Sequence, residues 1–160
     1  MDMRKIFEYA LQREYEGKAF FETNATRLQN AAAAGAFKAI AAEEQKHIDF
    51  IQAQLNALDE GKQAAAPELP EAGFFADRAT SESIEQTVSE AMVADLPVLR
   101  MAYLIERDFA EFYRMAADRV EGKAKKSLEM LALWEKGHEN LFKNLHDRAF
   151  EEYAQMPWGG

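Results

Sequence analysis

Trp134-Glu135-Lys136-Gly137-His138 decides how this chain is read, because Glu44-Gln45-Lys46-His47 repeats its spacing in the first half. In both stretches a carboxylate and an imidazole stand three residues apart. On a helix that is about one turn, so both side chains leave the same face. A single Glu-x-x-His pair is weak evidence of a site, but two of the three histidines here have one. Two such pairs, each joined by one further glutamate from a separate helix, are the ligand set of a carboxylate-bridged two-metal centre in a four-helix bundle. The remaining sequence must then supply two more glutamates and four helices.

The chain has 160 residues, one domain's worth, long enough to bury a core. Ala, Leu, Glu, Lys, Gln and Met abound, while eight Gly and four Pro are few and clustered, which favours helix. A net charge of -9 argues against a nucleic-acid backbone or an anionic membrane surface as partner. With no cysteine, disulfides, thiolate zinc sites and iron–sulfur sites are excluded. The N-terminal MDMRKIFEYALQ does not read as a signal peptide, and no apolar run approaches membrane-spanning length. The expectation is a soluble cytoplasmic protein.

Apolar residues recur at helical spacing from Asp2 to about Gln29. Asn30 reads as the N-cap of a second helix over about 31–60, which Gly61 ends. From Lys62 to about Ala94 the pattern breaks at Pro67, Pro70 and Gly73. Phe74 and Phe75 read as an anchor there, and Ser81 to Met92 as a short helix. Asp95 with Pro97 reads as the start of a third long helix, with the proline in its first turn. That helix runs to about Glu121, Gly122 turns the chain, and a fourth runs from about Lys123 to Tyr153 before a tail at Pro157-Trp158-Gly159-Gly160. The expected fold is all-α: a single domain over 1–160 made of a hairpin (2–60), a crossover along the bundle (61–94) and a second hairpin (95–155), a one-crossover four-helix bundle.

The hairpins match one another. Glu14, Phe20, Phe21, Ala25 and Arg27 align with Glu106, Phe112, Tyr113, Ala117 and Arg119. With a shift of one residue, Phe37, Ile40, Glu44 and His47 align with Leu128, Leu131, Glu135 and His138. This is an internal duplication of a helical hairpin. It identifies Glu14 and Glu106 as the missing glutamates. Glu14 and Glu44 lie sixteen and fourteen residues from Asn30, and Glu106 and Glu135 sixteen and thirteen from Gly122. At about 1.5 Å per residue all four fall roughly 20–24 Å from their turns, at one level. Apolar residues flank each at helical spacing, so they are expected to point inward.

Four buried carboxylates repel one another and lose solvation, and two divalent cations offset that cost. Mixed oxygen and imidazole donors suit iron or manganese, and zinc also occupies such sites. The candidate ligands are therefore Glu14, Glu44, His47, Glu106, Glu135 and His138. Glu16, Glu43, Asp108, Glu111 and Glu139 read as solvated faces or ion pairs, and His146, without a carboxylate at ligand spacing, as a surface histidine. Phe20, Phe21, Phe37, Phe109 and Phe112 read as core. Tyr103 and Tyr113 fit core packing with a satisfied hydroxyl, the favoured reading, or a hydrogen bond to a ligand carboxylate or a transient radical. Trp134 fits space-filling ahead of an electron relay.

Glu14, Glu44-Gln45-Lys46-His47, Glu106 and Glu135-Lys136-Gly137-His138, with Phe20-Phe21 and Phe112-Tyr113, resemble the ferritin-like superfamily and within it the rubrerythrin-type diiron proteins. The resemblance covers nearly the whole chain except the crossover and tail. It implies two iron ions, with Glu14 and Glu106 as terminal ligands, Glu44 and Glu135 as bridges, and His47 and His138 as one imidazole per metal. It also implies a dimer. Full-length rubrerythrins append a cysteine-bearing rubredoxin domain, which this sequence lacks, so peroxidase activity requires an external electron donor such as a rubredoxin-like protein. They also carry a further glutamate one turn after the helix-3 ligand that exchanges with a histidine during peroxide reduction. Phe109 stands in that place here, and the remaining four-Glu, two-His set is similar to that of bacterioferritin.

Three functions are compatible with these residues. The first is a redox enzyme reducing hydrogen peroxide or dioxygen, its four glutamates holding and bridging the irons that react. The second is iron handling, in which ferrous iron is oxidised and passed on or stored. The third is a bundle that binds metal without turnover.

Overall fold

The computed structural model describes residues 2–61 and 91–157, with the side chains of 91 and 92 excepted. The expected crossover, including Phe74, Phe75 and the short helix, and the tail at Trp158 lie outside the described residues. Among the described residues four helices carry the fold: α1 (Met3–Ala25), α2 (Ala31–Asp59), α3 (Ala91–Ala117) and α4 (Gly122–Gln155). No strand occurs among the described residues. No described helix is long and apolar enough to cross a membrane.

Local chemistry sets the helix starts. Asp2 accepts the Arg4 N–H at 3.1 Å and caps α1, and Asn30 accepts the Ala33 N–H at 3.0 Å and caps α2, as its sequence position predicts. Gly61 and Gly122 take left-handed φ of 66° and 67° at the two places where the chain leaves or enters a helix. Helix α1 ends at Ala25, four residues short of the expected boundary, and the turn over 26–30 is correspondingly longer.

The start of the third helix corrects the sequence reading. It begins at Ala91, so Pro97 lies inside the helix and not in its first turn. Asp95 does not cap its own helix. It is buried, and its carboxylate accepts the Asn30 N–H at 2.9 Å and the Gln29 N–H at 3.1 and 3.2 Å. A buried carboxylate needs partners, and here two otherwise idle N–H groups of the α1–α2 turn supply them across sixty-five residues or more.

That contact places the α1–α2 turn beside the beginning of α3, so the two hairpins run in opposite senses. The core follows the same logic. One apolar cluster joins Ile6, Phe7 and Ala10 of α1 to Ile51 and Leu55 of α2, Tyr113 and Ala117 of α3, and Leu128 and Leu131 of α4. A second joins Phe21 and Ala25, Phe37 and Ile40, Leu99 and Ala102, and Phe142 and Leu145. Each helix passes from one cluster to the other, and on each a glutamate marks the crossing: Glu14, Glu44, Glu106 and Glu135. The architecture is an all-α, ferritin-like four-helix bundle, as expected from the periodicity.

Candidate metal centre

The six candidate side chains meet in the layer between the two clusters. Glu14, Glu44, His47, Glu106 and Glu135 are 0% exposed and His138 is 1% exposed, on an acidic protein whose other carboxylates mostly face water. Helical spacing brings each Glu-x-x-His pair to one face, and the opposed hairpins bring the faces together. His47 Nδ1 lies 2.8 Å from Glu135 Oε1, 3.3 Å from Glu14 Oε2 and 3.8 Å from Glu44 Oε2. His138 Nδ1 lies 3.3 Å from Glu135 Oε2, 3.4 Å from Glu44 Oε1 and 3.5 Å from Glu106 Oε2. Each imidazole thus faces one glutamate of its own, Glu14 or Glu106, and both Glu44 and Glu135. The two rings lie nearly parallel, 5.6 Å apart.

Protons are shared across this layer. Burial first, and then the charges of Glu135 and Glu14, hold the Glu44 carboxyl well above the usual carboxylate range. Burial also raises Glu106, against the opposing pull of His138. Burial would raise Glu135 too, but His47 and His138 outweigh it and keep this carboxylate ionised. Burial opposes charge on the imidazoles, yet Glu135 and Glu44 hold His47 protonated well above its ordinary range, and Glu106 leads the groups that do so for His138. Burial and the Glu14 charge push the Tyr113 phenol up, so it keeps its proton.

Both oxygens of Glu44, Glu106 and Glu135 receive no well-aligned hydrogen bond among the described residues. Buried carboxylate oxygens without partners carry a large desolvation cost. The donor atoms form two four-residue groups, Glu14–Glu44–His47–Glu135 and Glu44–Glu106–Glu135–His138, with ligand atoms within 4.8 Å of one another. Glu44 and Glu135 belong to both. Two cations at these groups would use the idle oxygens, and the mixed oxygen and nitrogen donors fit iron, manganese or zinc.

The surrounding residues divide the earlier alternatives. Tyr113 is fully buried and donates its phenolic proton to Glu14 Oε1, so it is at once core and ligand support. Tyr103 instead sets its ring edge-on to His146 at 5.5 Å. His146 is half-buried at the surface, 17% exposed, held between Tyr103 and the exposed Phe150 and 3.1 Å from Asp147. Glu139 pairs with Lys136 at 2.5 Å while nearly buried, an ion pair and not a solvated face. Glu43 pairs with Lys46 at 2.7 Å, and Glu16, Asp108 and Glu111 are exposed. Trp134 packs against the core and stacks on His47 at 4.9 Å.

Gly17 had not drawn attention in the sequence. A Cβ there would stand 3.0 Å from the Phe109 ring and 3.7 Å from Glu44 Oε2, so the glycine makes room for Phe109 at the edge of the layer. The signal was available, since a glycine inside a helix costs about 1 kcal/mol relative to alanine and Gly17 follows Glu14 by three residues. Phe109 is buried, with the Arg13 guanidinium over its ring at 4.9 Å.

A ferritin-like bundle whose buried carboxylate–imidazole layer is of the diiron type is the class that fold and site define. The rubrerythrin family model matches residues 5–146, and the chain belongs to that family. No curated protein matches it. The fold is similar to the solved structure of a hypothetical protein from Pyrococcus furiosus, at 18% identity and a TM-score of 0.68, over 94% of this chain and 92% of that one.

Proposed function

We propose that Glu14, Glu44, His47, Glu106, Glu135 and His138 hold two iron ions, and that the protein is a redox enzyme that reduces hydrogen peroxide or dioxygen. The observation that carries this reading is the double membership of Glu44 and Glu135, which each offer an oxygen to both imidazole groups. Carboxylates so placed can bridge, while Glu14 and Glu106 each serve one side. When bound, a pair of irons supplies one-electron steps and polarises an oxidant. The chain's own part is to position and to exclude water. The apolar clusters above and below keep the layer dry, and Tyr113 holds its proton at Oη against Glu14. A rubredoxin-like protein is the proposed electron donor, since residues 1–160 hold no cysteine. The protein acts as a cytoplasmic homodimer.

The test is anaerobic loading with ferrous iron, elemental analysis, then titration with peroxide or air while a near-ultraviolet charge-transfer band is followed. Two irons per chain, lost in Glu44→Ala and Glu135→Ala and oxidised faster by peroxide than by air, support the proposal. No stoichiometric metal, or binding indifferent to both substitutions, removes it.

Phe109 favours a second reading. Where a peroxidase of this kind would have a further glutamate, a buried phenylalanine packs against Gly17. A site with only six ligands suits ferrous iron oxidation followed by transfer or storage. Iron taken up beyond two per chain would select this reading, and sustained peroxide consumption with a donor would select the first. Two bound metals with neither behaviour would leave a non-catalytic metal-binding bundle.

A further inference from the structure

We propose that the two metal positions are unequal: the Glu106–His138 position fills first, and the Glu14–His47 position binds more weakly and keeps a place open for a small exogenous ligand. This rests on the two-metal reading above. The duplicated hairpins give each position the same glutamate and histidine, so any inequality must come from residues that break the repeat. Two such residues touch the ligands. Tyr113 aligns with Phe21, and Trp134, one residue before Glu135, aligns with Glu43. Both bear on the same position: Tyr113 donates to Glu14 Oε1, and Trp134 stacks on His47.

Counting donors shows the consequence. Glu14 has Oε1 committed to the phenol, which leaves Oε2, the oxygen 3.3 Å from His47 Nδ1. Glu106 has both oxygens without a hydrogen bond and can chelate through the pair. Glu44 and Glu135 face both imidazoles and contribute to both positions. The Glu14 position therefore has one oxygen donor fewer. Its remaining oxygen is also the poorer donor, because a hydrogen bond to a carboxylate withdraws charge from it. The imidazole there is less supported as well. A ligating histidine ordinarily donates its second N–H to an acceptor, whereas His47 Nε2 is buried without one among the described residues. A cation at this position is under-coordinated, and a small anion or diatomic molecule can complete its shell.

Cobalt(II) added anaerobically to the full chain tests this, followed by calorimetry and by visible absorption, with azide as the exogenous probe. The wild type should bind two cobalt ions in steps separated by about 10–100-fold in affinity, the range of supporting-shell effects on metal sites. Azide should change the spectrum only after the second equivalent. Glu14→Gln should remove the weaker step and Glu106→Gln the tighter one. Tyr113→Phe, which makes the two positions alike at that residue while the His47 difference remains, should narrow the gap between the steps and weaken the azide response. Equal steps in the wild type, loss of the tighter step in Glu14→Gln, or a gap unchanged or widened by Tyr113→Phe would each overturn the inequality. Because the glutamine variants and the wild type decide the order on their own, the inference stays testable if Tyr113→Phe fails to fold. Failure to bind two cobalt ions per chain overturns the two-metal reading instead.

Discussion

The carboxylate layer and the phenylalanine cluster beside it are equally inaccessible to water, yet burial acts on them with opposite sign. Phe21, Phe37 and Phe142 are 0% exposed and pack with ring centroids 5.0–5.3 Å apart. Each such side chain stabilises the fold by about 1.5–3 kcal/mol, with a further contribution from the aromatic pairs. Glu44 and Glu106, on α2 and α3, are buried with idle oxygens that cost stability. One region holds the bundle together, and the other strains it so that two cations can be received. Stability has been set aside for a site, as expected where function needs a destabilised arrangement.

The sharpest way to break the comparison is to damage the stabilising region. Phe142→Ala should cost about 3–5 kcal/mol, read as a lower midpoint in denaturant, while any chains that remain folded still bind metal. An unchanged midpoint would show that the cluster is not what holds the four helices.

Next come two substitutions within the layer that should behave oppositely. Glu135 is the carboxylate kept ionised by both imidazoles, so Glu135→Leu removes the negative charge that the two buried imidazoles share and should destabilise the metal-free protein by about 3 kcal/mol. Burial and the neighbouring carboxylates raise the Glu44 carboxyl well above its usual range. Glu44→Leu should therefore leave the metal-free protein as stable or raise it by about 1–2 kcal/mol, while metal binding is lost in both variants. Similar losses of stability in the two would mean that the carboxylates are equivalent.

The pH dependence sharpens the same point. Glu44 and Glu106 bind protons in the folded state above their ordinary value of 4.5, and His47 and His138 above 6.5. For these groups the folded state holds more protons than the unfolded one, so their contribution to stability falls as pH rises. The metal-free melting temperature should decline from about pH 4.5 upward and more steeply above 6.5. Metal displaces those protons, so the gap between metal-bound and metal-free melting temperatures should widen over the same range. A gap independent of pH would contradict the shared protons.

Much of this was legible in the chain. A period near 3.6, set by alternating apolar and charged residues, marks the four helices. The spacing of Glu44 to His47 and Glu135 to His138 is helix geometry written directly into sequence, and the duplicated hairpin points to Glu14 and Glu106. Asn30 announced its cap because capping is a contact within three residues. Where the reading slipped, the cause was distance along the chain. Asp95 reads in the sequence as part of a helix start, yet its partners are Gln29 and Asn30, and no local pattern records such a pairing.

The sequence by itself determined the helical fold, the level of the glutamates and the six side chains that gather there, because periodicity and turn spacing are local properties of a regular helix. Only the tertiary structure decided that the hairpins oppose one another and that Tyr113 and Trp134 lean on the same side. Those are contacts between helices, and the sign of a buried charge depends on every group that surrounds it in space.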